Sequence, residues 1–127
     1  MRAPGEREEA VLEVAAAIPA GALTTYGDVA QVVVELGLPC TARQVARTLA
    51  DYGAGVAWWR VVQASGTLAP QVATEARRRL LAEGVVAQGR RVPLRQLRWT
   101  PTDPQLRRLA ARLRDGQMTH DGASMDP

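Results

Sequence analysis

Two helix-start signals sixteen residues apart constrain this chain more than any other feature. Thr25 stands three residues before Asp28, and Thr41 three residues before Gln44. In each pair the hydroxyl is placed to accept the N–H three residues on, while the acid or amide side chain reaches back to the threonine N–H. Behind the first signal, Val29, Val33 and Leu36 recur at helical spacing until Gly37 and Pro39 break the pattern. Behind the second, Val45, Ala46 and Leu49 fall on one side, with Arg43 and Arg47 one turn apart on the other. Two short helices across a connection of about four residues, the second basic on its outer side, predict a helix-turn-helix.

The rest of the chain fits around that hairpin of helices. Ala10, Val11, Val14, Ala15 and Ile18 predict an amphipathic helix from Glu6 that Pro19 stops. After Asp51, a Gly-Ala-Gly connection leads into the apolar run VAWWRVV, which reads as extended. The Ser65-Gly66 turn then predicts a small β-hairpin of RVVQ against TLA. A helix from Thr74 to Ala82 follows, then RRVPLRQLRW, irregular or extended, which returns to the core through Leu97 and Trp99. Asp103-Pro104 opens a last helix, with Leu106, Leu109, Ala110 and Leu113 opposite Arg107, Arg108 and Arg112. Residues past Gly116 read as disordered. The expectation is a mainly α, winged-helix-like DNA-binding domain over residues 1–100, with an extra C-terminal helix and tail over 101–127.

At 127 residues the chain is the size of one domain. It holds no apolar run long enough to span a membrane, and its Glu-rich start is unlike a signal peptide, so a soluble, cytoplasmic, nucleoid-associated protein is expected. One Cys and one His supply neither a disulfide nor a metal-ligand cluster, and no cofactor is expected. All sixteen cations are Arg. Residues 1–39 carry two Arg and six acids, whereas residues 40–114 carry fourteen Arg and four acids. A basic region beside an acidic one is the footprint of a polyanion binder, which makes nucleic acid the leading partner class.

The order of motifs IPAGALTTYGDVAQVV, ARQVARTL, WWRVVQASGTLA and RRRLLAEGV resembles the DNA-binding domain of the O6-alkylguanine-DNA alkyltransferase family over roughly residues 8 to 99. Active members carry Pro-Cys-His-Arg-Val, whose cysteine accepts the alkyl group. Here the stretch reads Ala57-Trp58-Trp59-Arg60-Val61, so both reactive groups are replaced. The resemblance therefore points to the alkyltransferase-like branch, which binds O6-alkylguanine in duplex DNA through the minor groove, flips the nucleotide without transferring the alkyl group, and passes the lesion to nucleotide excision repair. It implies a monomer acting with excision-repair proteins.

By the same resemblance, Arg43 matches the finger that fills the gap left by the flipped nucleotide, and Tyr26 matches the tyrosine pressing on the 3′ phosphate. Thr41, Gln44 and Arg47 complete the expected DNA contacts. Trp58 becomes a wall of the lesion pocket, and Arg60 and Val61 match residues of its floor. Glu83 matches the acid behind the active-site histidine and would face Trp59, which in an extended segment points away from Trp58. Members of the branch carry a base-contacting Arg in the loop after the hairpin. The corresponding LAPQVAT is shorter, with Gln71 as its polar candidate. Two other readings stay open on the residues alone: dealkylation through Cys40, and sequence-specific regulation through the helix-turn-helix.

Overall fold

The computed structural model describes residues 3–125, with side chains as far as Gly116. Helix α1 (Glu6–Ala17), α2 (Tyr26–Glu35) and α3 (Ala42–Tyr52) pack on one another around Val11, Val14, Val29, Val33 and Val45. Both expected starts form in full. Asp28 N–H donates to Thr25 Oγ1 at 3.0 Å, and Thr25 N–H to Asp28 Oδ2 at 3.3 Å. Gln44 N–H donates to Thr41 Oγ1 at 3.2 Å, and Thr41 N–H to Gln44 Oε1 at 3.0 Å. The turn between the two helices closes on Gly37, whose φ of 101° is available to glycine at no steric cost. Gly37 N–H then bonds Val34 O and Leu38 N–H bonds Val33 O, which seals the end of α2.

The second half is built differently. The expected hairpin is not there: strand β2 (Val61–Val62) pairs in parallel with β1 (Thr24–Thr25), in the register Thr24 to Val61 and Thr25 to Val62. The turn at Ser65-Gly66 does form, with Gln63 N–H bonding Thr67 O. The chain beyond it pairs forward instead, Leu68 N–H to Arg90 O and Val92 N–H to Gly66 O. A parallel partner 37 residues away in sequence satisfies the β2 backbone and keeps Val62 fully buried. α4 (Ala73–Ala82) ends in a glycine cap at Gly84 (φ 84°), with Val85 N–H on Leu80 O. Leu23, Val62, Leu68, Leu80, Val85 and Val92 form a second core, and Trp58 packs against both cores.

Residues 90–99, expected to be irregular or extended, include one short helix, α5 (Leu94–Leu97). Leu23 N–H bonds Leu97 O and Trp99 N–H bonds Leu23 O, so the stretch before α2 is tied to this segment as well as to β2. α6 (Asp103–Met125) is entered through a third reciprocal cap, Thr102 with Gln105, rather than through Asp103. Leu109 is buried in the first core, with Leu106 and Leu113 packed beside it. The helix passes through Gly116 and Gly122 to Met125 where disorder was expected; each glycine costs a helix about 1 kcal/mol.

Candidate nucleic-acid interface

A cavity of about 490 Å³ opens between α3 and the irregular second half. Its α3 side consists of Ala46, Leu49 and Ala50, continued by Ala54 in the following turn; across from them stand Trp58, Ala69, Gln71 and Val72, with Tyr26 beside them. Three alanines at four-residue spacing keep the helical rim low, and that spacing was a signal in the sequence that composition concealed. Tyr26 is the first residue of α2, fixed by the Thr25 cap. Behind it, the Asp28 carboxylate receives two bonds from Arg98, at 2.8 and 2.9 Å. Burial pushes the Tyr26 hydroxyl above its usual range, so it remains a neutral donor at physiological pH.

The structure thus brings Tyr26, Trp58 and Gln71 to one opening and leaves two other residues expected there outside it. Val61 is buried in the first core and paired with Thr24. Arg60 points back into the protein. Its Nη1 donates to Ile18 O at 2.6 Å, its Nη2 to Glu83 Oε2 at 2.5 Å, and its Nε bridges both Glu83 oxygens at 3.0 Å. Glu83 also accepts from Gly21 N–H and from Trp59 Nε1–H, both at 2.9 Å. Burial alone would raise that carboxyl, but the bonds from Arg60, Gly21 and Trp59 win and hold it at about 2. The role of Glu83 is thereby defined: it anchors the Trp59-Arg60 turn to the end of α1 and to the loop before β1.

The Trp pair is not extended. Trp58–Arg60 is a single 3-10 turn, closed by Arg60 N–H on Ala57 O at 3.1 Å. In that conformation neighbouring side chains do not alternate, and the two indoles meet edge to face at 5.9 Å with an interplanar angle of 86°. Trp58 fronts the cavity, and Trp59 backs it from the second core.

On α3, Arg43 is exposed and has no acidic partner among the described residues. Arg47 is exposed too but pairs with Asp51 at 3.0 Å, a surface contact of little strength. Thr41 and Gln44 spend their inward-reaching groups on the helix cap. Cys40, in the turn before α3, does not line the cavity. Burial pushes its thiol up, further from the reactive thiolate.

A helix-turn-helix whose second helix exposes Arg43 and lines one side of an indole-walled cavity defines a DNA-binding domain. The family model of the 6-O-methylguanine DNA methyltransferase DNA-binding domain matches residues 6–85, and the chain belongs to that family, in its alkyltransferase-like branch, which is not enzymatic. The DNA base-flipping protein of Escherichia coli K12 is 41% identical over 95 residues, 70% of each chain. That of Vibrio parahaemolyticus is 32% identical over 89 residues, covering 66% of this chain and 86% of the relative. Among solved structures, S. pombe Atl1 in complex with damaged DNA containing O6-carboxymethylguanine superposes with a TM-score of 0.65 at 28% identity, over 80% of this chain and all of the other. S. pombe ATL in complex with DNA gives 0.63 at 27% identity, with the same coverage.

Proposed function

We propose that this protein recognises O6-alkylguanine in duplex DNA by drawing the nucleotide out of the stack into the cavity beside Trp58, with no transfer of the alkyl group. The cavity carries the reading: its volume lies within the roughly 300–1,000 Å³ of small-molecule sites, and its far wall is a half-buried indole where active relatives hold a nucleophile. Flipping costs a few kcal/mol, less for a base already mispaired, and stacking on an indole returns about 1–3 kcal/mol. α3 enters the minor groove, where Ala42 and Ala46 allow close approach and Arg43 extends into the space the nucleotide leaves. Tyr26 presses on the adjoining phosphate, and Gln71 offers a polar contact at the rim. Thr41, Gln44 and Arg47 contact the backbone, Arg47 by exchanging Asp51 for a phosphate.

The protein works as a cytoplasmic monomer, with residues 1–100 as the DNA-binding unit, and marks the lesion for excision-repair proteins. A duplex with a single O6-methylguanine, compared with its undamaged twin, tests this. Tighter binding to the damaged duplex with the methyl group retained is expected. Loss of the methyl group would instead reveal transfer to Cys40, and equal binding would leave only a general helix-turn-helix.

A further inference from the structure

Trp58 forms the wall of the cavity, yet its indole makes no side-chain hydrogen bond among the described residues; it is held by packing on both cores, by the edge-to-face contact with Trp59 and by one cationic neighbour. The nearest directional group comes from α4. The Arg79 guanidinium lies 4.6 Å from the centroid of the Trp59 ring and 5.9 Å from that of Trp58. Its Nε donates to Glu75 Oε2 at 2.9 Å one turn earlier on the helix, a surface pair that favours this rotamer. Trp59 is itself held from the other end by its bond to Glu83, with the Arg60 guanidinium 5.4 Å from the ring centroid. Arg79 does not line the cavity. Its neighbours Arg77 and Arg78 line a separate groove with Leu81 and Val86, and Arg78 shares the Glu75 carboxylate with Arg79.

We infer that Arg79 is a positioning residue of this site: set against the Trp59 ring and within reach of Trp58, it fixes the indole wall and thereby sets how well the protein separates an alkylated from an unmodified guanine. The inference rests on the reading that the cavity takes the base. A planar cation over an aromatic face is attracted by the ring quadrupole, and a guanidinium does this over a wider area than an ammonium. The side chain is 43% exposed, so its removal opens no buried hole, and the variants remain folded.

The experiment compares Arg79→Ala, Arg79→Met and Arg79→Lys with the unmutated protein on the O6-methylguanine duplex and its undamaged twin, together with the indole N–H resonances of each free protein. In Arg79→Ala, the Trp58 and Trp59 resonances move and that of Trp99 does not. The damaged-to-undamaged affinity ratio falls about fivefold, the size of one exposed cation–π contact, while binding to undamaged DNA changes less than twofold. Arg79→Met, which keeps bulk without charge, behaves like Arg79→Ala, and Arg79→Lys recovers part of the ratio. Equal losses on both duplexes would make Arg79 a phosphate contact and overturn the inference. So would an unchanged ratio, whether or not the resonances move. If the unmutated protein shows no preference for the lesion, the base-binding reading itself falls, an outcome separate from a preference that survives Arg79→Ala.

Discussion

The two sides of the cavity are made by opposite means. The α3 side is a regular helix, started by a reciprocal cap and faced with alanines, and its cations are either without an acidic partner among the described residues, as Arg43, or tied to one exposed carboxylate, as Arg47. The Trp58 side is irregular backbone, held by a nearly buried ion pair, four donors on one carboxylate, and two edge-to-face indoles flanked by Arg60 and Arg79. The difference separates tasks. Groups that must engage a partner are left uncommitted on an element that is stable without them, and the surface that must already have its shape is fixed before any partner arrives.

Substitutions on the Trp58 side should therefore be felt first as lost stability, and on the α3 side as lost affinity. The largest effect is expected at Glu83. A carboxyl held at about 2, against an ordinary 4.5, contributes on the order of 3 kcal/mol at neutral pH, and Glu83→Gln should lose it along with about 10 °C of Tm by calorimetry. Because the folded-state value is the lower one, this contribution is complete above pH 4.5 and disappears as the pH falls towards 2. A Glu83→Gln protein as stable as its parent at pH 7 would show that the turn is held by packing alone.

Trp58→Ala tests the middle of the contrast, since Trp58 packs on both cores and fronts the cavity. Removal of a stacking surface worth about 1–3 kcal/mol should lower the damaged-to-undamaged ratio about tenfold in a fluorescence-anisotropy titration. An unaltered ratio would make it a core residue only. Arg43→Ala should weaken binding to the damaged duplex by about 1.5 kcal/mol, more than Arg107→Ala does, with Tm unchanged. Equal losses for the two would remove the distinction of Arg43. Thr41→Ala should lose about 1 kcal/mol of stability through the cap, visible in urea unfolding. Smallest of all, Arg47→Ala should change stability by less than about 0.5 kcal/mol, and a larger change would contradict the view that the α3 cations are uncommitted.

The same division governs what the sequence disclosed. α2, α3 and their turn were legible residue by residue, because caps, glycine stops and apolar spacing act within four positions of one another. The fate of RVVQ was not. A turn at Ser65-Gly66 is a local fact, whereas the preference of Val61-Val62 for Thr24-Thr25 over Thr67-Leu68 is decided by what the rest of the chain buries. Arg60 departs from its family match for a related reason. The resemblance places it on the pocket floor, but its partners, Ile18 and Glu83, stand 42 and 23 residues away. Tyr26 and Trp58 are legible through the family pattern and Gln71 as the polar residue of the loop that departs from it, whereas Ala50, Ala54 and Val72 are not, because small apolar residues carry no chemical mark of their own.

The two-residue pairing of β1 with β2 also sets an order of events. Among the described residues it is the only backbone ladder joining the residues that flank Tyr26 to those that flank Trp58, and it closes a loop containing the whole helix-turn-helix. Closing such a loop costs chain entropy that only long-range contacts repay, so the helices gain structure first and the cavity last. In pulsed amide exchange during refolding, protection in α3 is expected before protection around the cavity. Amide protection at Val62 would therefore date the birth of the site, just as protection at Val45 dates the birth of the helix that presents it.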